Sequence, residues 1–168
     1  MLVVRGAMPC VPVSEDEVHR IYRITLDDAL PMLAAAREKA EEIGVRQTIC
    51  VCDDGGHVLA LHRLPGARLT GVEIAMAKAF TAAGHERATH LFNESPGGPA
   101  LPGNEAFGIS HMYPGKFATF VGGFPVEYEG QIVGAVGVSG GNGAQDKAVG
   151  AAALDAFARH AAGTLADR

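Results

Sequence analysis

Residues 47–63 read Gln47-Thr48-Ile49-Cys50-Val51-Cys52-Asp53-Asp54-Gly55-Gly56-His57-Val58-Leu59-Ala60-Leu61-His62-Arg63. Two apolar runs flank an Asp-Gly-Gly turn, the pattern of a β-hairpin. Side chains alternate along a strand, so Ile49 and Val51 share one side while Thr48, Cys50 and Cys52 share the other.

Upstream, Leu26, Ala29, Leu30, Leu33, Ala40 and Ile43 recur at helical spacing, and Gly44 stands ready as a C-terminal stop. Pro31 has no amide proton, so a start at Asp27 or Asp28 would place it in the first turn, where no such bond is needed. Downstream, Thr70 and Glu73 form a capping-box pattern ahead of an alanine-rich helix, 74–83, whose small residues let it lie close to a sheet. Residues 95–115 are crowded with proline and glycine. A loop longer than about 12–15 residues inside a compact domain points to function or disorder. Three strands are expected next, 117–121, 124–128 and 131–138, with Glu129-Gly130 turning between the last two, and then a helix over 144–162. Gly134 and Gly137 within the last strand suggest close backbone packing. The order helix, two strands, helix, three strands, helix predicts an α+β layered fold with an antiparallel sheet of about five strands. Residues 1–24 lack periodicity and read as an N-terminal arm, leaving 25–168 as a single domain.

The chain has 168 residues, 48% of them apolar, and a formal charge of -5. It can bury a core, and it lacks the basic field that nucleic acid would need. The apolar stretch 1–13 is broken by Pro9 and Pro12 and is too short to span a membrane. Cys10, Cys50 and Cys52 form no Cys-x-x-Cys, and the last two are badly placed for a disulfide, so reduced thiols and a cytoplasmic location are expected.

His85-Glu86 followed by His90 resembles a zinc helix only superficially, because a five-residue step turns the second imidazole about 140° from the first on a helix. His57 and His62 read as hairpin-edge residues. The stretch Ser139-Gly140-Gly141-Asn142-Gly143 leads from a strand into a helix, and its amides suit either an anion or a plain helix start.

A family resemblance rests on several ordered blocks: Asp53-x-x-Gly56 with Ala60-x-x-Arg63 and Gly66-Ala67; Ala77-Lys78-Ala79-Phe80-Thr81-Ala82; Gly122-Gly123-Phe124-Pro125-Val126; Gly134-x-x-Gly137-Val138-Ser139-Gly140-Gly141; and Gln145-Asp146. Together they cover about residues 25–160, and the chain resembles the GlcG/HbpS family, which includes the C-terminal domain of PduO-type corrinoid adenosyltransferases. The resemblance implies a profilin-like antiparallel sheet flanked by helices, a homo-oligomer, and binding of haem or another small molecule. The chief departure is the loop 93–115, which points to a subgroup with its own ligand.

Three readings follow. In the first, the chain binds haem or a related tetrapyrrole: His111 supplies the axial nitrogen, Met112 and Tyr113 wall the pocket, and Lys78 or Arg63 pairs with a propionate. In the second, it is an enzyme acting on a small organic acid, with His111 as general acid or base, and Lys78 or Arg63 binding the carboxylate. In the third, it is a purely structural accessory domain whose alanine- and glycine-rich faces build an oligomer. For the ligand site, Thr81 shares a helix face with Lys78, Asn104 belongs to the same loop as His111, and Gly122 and Gly123 are expected to shape the floor.

Overall fold

The computed structural model describes residues 21–166. The arm expected over 1–24 lies outside the described residues as far as position 20. At its end Ile24 is buried and donates its amide to Val133 O at 3.1 Å, so the chain is already packed on the sheet before the first helix.

The elements run α1 (Leu26–Glu42), β1 (Thr48–Asp53), β2 (Val58–Arg63), α2 (Gly71–Gly84), β3 (Gly123–Tyr128), β4 (Gln131–Ser139) and α3 (Gly143–Ala166). Two 3-10 turns, Thr89–Phe92 and Ile109–His111, punctuate the long connection between α2 and β3. The fold is α+β, with one four-stranded antiparallel sheet in the order β2-β1-β4-β3. The hairpin over 47–63 forms as β1 and β2, and the Glu129-Gly130 turn joins β3 to β4 with positive φ at both residues.

Three expectations need correction. The strand expected over 117–121 does not form, which makes the sheet four-stranded rather than five-stranded. Side chains take up part of its backbone instead: Ala118 N donates to Thr81 Oγ1 at 2.9 Å, and Phe120 O accepts from Thr89 Oγ1 at 2.6 Å. Helix α1 starts at Leu26, so Pro31 lies in its second turn. Asp28 secures the start by accepting from both the amide and the hydroxyl of Thr25 at 2.7 Å. The Thr70 capping box is absent; α2 starts at Gly71 with no side-chain cap.

Every residue of β1 is buried, because both faces of the sheet are covered. Ile49 and Val51 join Met32, Leu33, Val136, Val138, Val149 and Phe157 in the core beneath α1 and α3. Cys50 and Cys52 meet Ala75, Ala79 and Ala82 of α2. That second contact is backbone-close: a Cβ on Gly137 would overlap the carbonyl of Ala75. Among the described residues, no helix is long and apolar enough to cross a membrane.

Candidate functional site

A groove of about 480 Å³ opens between the 3-10 turn Thr89–Phe92, the segment 119–121 and the first turn of α3. His90, Phe120, Val121, Ala144 and Lys147 are among its lining residues. Its shape follows from where α2 stops. After Gly84 the chain reverses through His85, whose amide caps the helix on Thr81 O, and Glu86, which has positive φ. Thr89 is then buried and pinned. Its hydroxyl donates to Phe120 O at 2.6 Å and accepts from Gly123 N at 2.9 Å. That one hydroxyl fixes the turn carrying His90 to the segment carrying Phe120. Asn93 Nδ2 adds a second tie, donating to Thr119 Oγ1 at 2.9 Å.

His90 is half-buried, and its Nδ1 is buried without a hydrogen-bond partner among the described residues. Burial and the nearby Lys147 ammonium hold its pKa below the ordinary histidine value, against the opposing pull of Glu94. The groove therefore offers a neutral imidazole beside a cation and an aromatic wall. At the α3 start, Asn142 and Gln145 cap each other's amides at 2.9 and 3.0 Å, and Gly141 N donates to Asp146 Oδ1 at 3.1 Å. The amides of Ser139–Gly143 that are thus engaged serve the helix start, the plainer of the two readings above. Gly143 and Ala144, in the first turn, have no intrahelical amide partner and line the groove.

The residues singled out by sequence fall elsewhere. Lys78 was expected to meet a ligand carboxylate. Its ammonium is instead buried against Asp146 Oδ2 at 2.8 Å and Val138 O at 2.6 Å. Lys78 and Thr81 do share a face, but the segment 116–122 covers it: the Thr81 hydroxyl binds Ala118 N, and the Lys78 ammonium lies 4.7 Å from the Phe120 ring centroid. Arg63 donates to Ala67 O at 2.9 Å, and Asn104 Nδ2 closes its own loop on Gly98 O at 2.7 Å. His111 and Met112 are exposed, with His111 Nδ1 3.1 Å from Gly108 O. Gly122 has φ +125°, and a Cβ there would sit 2.5 Å from Lys78 Nζ, while a Cβ on Gly123 would overlap the Lys78 carbonyl. These glycines let α2 come close to the sheet edge. His111, which the organic-acid reading pairs with Lys78 or Arg63, lines neither this groove nor the second one, and neither do Lys78 and Arg63.

That second groove, about 560 Å³, lies toward the other end of α3, between Tyr22, Asp28, Tyr128, Phe157 and His160. There His160 faces Asp28 at 3.5 Å, and Arg23 is paired with Asp54. Its rim carries Asp27 and Asp28 against an Arg23 already paired, whereas the first groove carries Glu94 against Lys147.

The sequence carries no sign of the setting of His90, Lys147 and Asp146, since His90 stands out there only beside His85 and Asp146 only in the Gln145-Asp146 block. The setting of His90 depends on α2 ending at Gly84, and Asp146 is 68 residues from the lysine it meets.

The chain is 36% identical over 138 residues to the uncharacterized 15.0 kDa protein in the dhaT-dhaS intergenic region of Citrobacter freundii, covering 82% of this chain and 94% of that one. Its structure is similar to that of Klebsiella pneumoniae protein ORFY, with a TM-score of 0.80, 32% identity, and 88% and 98% of the two chains covered. It is also similar to the structure of a PduOC:heme complex, with a TM-score of 0.74, 30% identity, and 80% and 94% covered. The family model described as haem degrading protein HbpS-like matches residues 24–155, and the chain belongs to this HbpS-like family.

Proposed function

We propose that this chain binds haem or a related tetrapyrrole in the groove at the head of α3, with His90 as the nitrogen ligand. The observation that carries the reading is the imidazole itself. It lines an apolar groove and is held toward the neutral form that a metal requires. Haem iron takes such a nitrogen as an axial ligand. Phe120 and Val121 supply apolar wall, and Lys147 with the first-turn amides of α3 suits a propionate. The similar PduOC structure is a haem complex, which supports the ligand class. A cytoplasmic setting belongs to the same reading; Cys50 and Cys52 are free, and burial pushes both thiols up to about 12.

Titration of the protein with hemin, followed at the Soret band, tests this. Saturation at one hemin per chain is expected, with affinity lowered about tenfold or more in His90→Ala and unchanged in His111→Ala. Absence of a Soret shift would overturn the reading. Loss of binding in His111→Ala with retention in His90→Ala would move the ligand to the loop and remove the groove from consideration.

A further inference from the structure

Directly behind the groove lies a pair of buried charges. Lys78 is 1% exposed and Asp146 3%. Lys78 Nζ donates to Asp146 Oδ2 at 2.8 Å and to Val138 O at 2.6 Å, and it lies 4.7 Å from the ring centroid of Phe120. Asp146 Oδ1 accepts from Gln47 Nε2 at 2.8 Å and from Gly141 N at 3.1 Å. Each partner reaches a different wall. Phe120, half exposed, lines the groove, whereas Asp146 belongs to the α3 start that contributes Gly143, Ala144 and Lys147. One ion pair thus braces two groove walls that are far apart in sequence.

Stability alone is a weak reason for such a pair. Desolvating two charges offsets most of their attraction, and apolar residues of similar volume often do as well. What a hydrogen-bonded ion pair adds is a defined geometry, here four hydrogen bonds with fixed directions at the carboxylate and the ammonium. Gly122 fits the same account, since any side chain there would occupy the space of the Lys78 ammonium.

We propose that Lys78 and Asp146 are positioning residues for the groove: without touching the ligand, they hold Phe120 and the first turn of α3 at the separation the ligand needs. The effect on affinity rests on the groove being the ligand site, but the bracing does not.

The test is the double variant Lys78→Met/Asp146→Asn, which removes both charges while the asparagine keeps an oxygen for Gln47 and Gly141. In the ligand-free protein, its 1H–15N spectrum should show amides of 119–121 and 143–147 displaced while the melting temperature stays close to that of the wild type. With hemin, affinity should fall about tenfold, the usual scale for residues that orient a metal site from behind, and the Soret maximum should move. Adding Phe120→Ala should then lower affinity less than it does in the wild-type background. Undisplaced amides at 119–121 and 143–144, or wild-type affinity and Soret maximum in the double variant, would overturn the proposal. Should the double variant not fold, Asp146→Glu, which keeps a carboxylate for Lys78 but shifts it by one methylene, carries the same two readouts. Should the wild type take up no hemin, the functional reading falls, and the ligand-free spectrum still decides the bracing.

Discussion

The two faces of the sheet are built by opposite means. Beneath α1 and α3 the contact is made by large aliphatic side chains, with Met32, Leu33, Ile49 and Val51 wholly buried. Beneath α2 it is made by backbone, with alanines, cysteines and glycines letting the helix sink onto the strands. The first face buries apolar volume. The second has little of it, and there polar groups are drawn inside: Lys78, Thr81 and Thr89 are all buried and hydrogen-bonded. The candidate site borders the second kind of packing because directional bonds, unlike apolar contact, place a neighbouring wall in one position.

The comparison can be broken most directly at Lys78. Lys78→Ala leaves the Asp146 carboxylate buried without its cation, and a loss of about 3–5 kcal/mol is expected from urea unfolding. A loss below 1 kcal/mol would mean the pair is better hydrated than its burial indicates.

A matched pair of substitutions sharpens it. Leu33→Ala removes volume from the aliphatic face and should cost about 2–5 kcal/mol. Gly137→Ala adds one methyl group against the Ala75 carbonyl and should cost about 1–3 kcal/mol. The first is a cavity and the second an overlap, so Leu33→Val should cost less than Leu33→Ala, whereas any residue larger than alanine at 137 should cost more than Gly137→Ala. A Gly137→Ala protein as stable as the wild type would show that α2 can lift from the sheet at no cost.

The smallest effect is at the groove. Burial and Lys147 depress the His90 pKa, so between that depressed value and the ordinary histidine value of about 6.5 the unfolded chain binds more protons than the folded one. The His90 contribution to stability therefore falls as pH drops through that window. Lys147→Met should raise the His90 pKa measured by NMR titration, and an unchanged value would assign the depression to burial alone.

Much of the architecture was legible in local pattern. Alternation in 47–63 declared the first hairpin, glycine at the Glu129-Gly130 turn the second, and three-and-four spacing the helix after Thr25. The fifth strand misled for a physical reason. Residues 117–121 have the aromatic and β-branched make-up of a strand, yet Thr81 and Thr89 satisfy backbone groups there that a neighbouring strand would otherwise serve. His111 drew attention as the histidine of a conspicuous loop, but position in a loop says nothing of what lies opposite, and it stands exposed.

By itself, then, the sequence determined the two hairpins, the helices and the family, because these depend on residues close together in the chain or on ordered blocks, whereas the pairing that sets Thr48 opposite Ser139 does not. Only the tertiary structure decided which polar side chains are interior braces and which line a groove. Lys78 meets Asp146 across 68 residues and Thr89 meets Phe120 across 31. A lysine on an alanine-rich helix has the same letters around it whether its ammonium faces water or a carboxylate. The difference lies in what the rest of the chain folds over it.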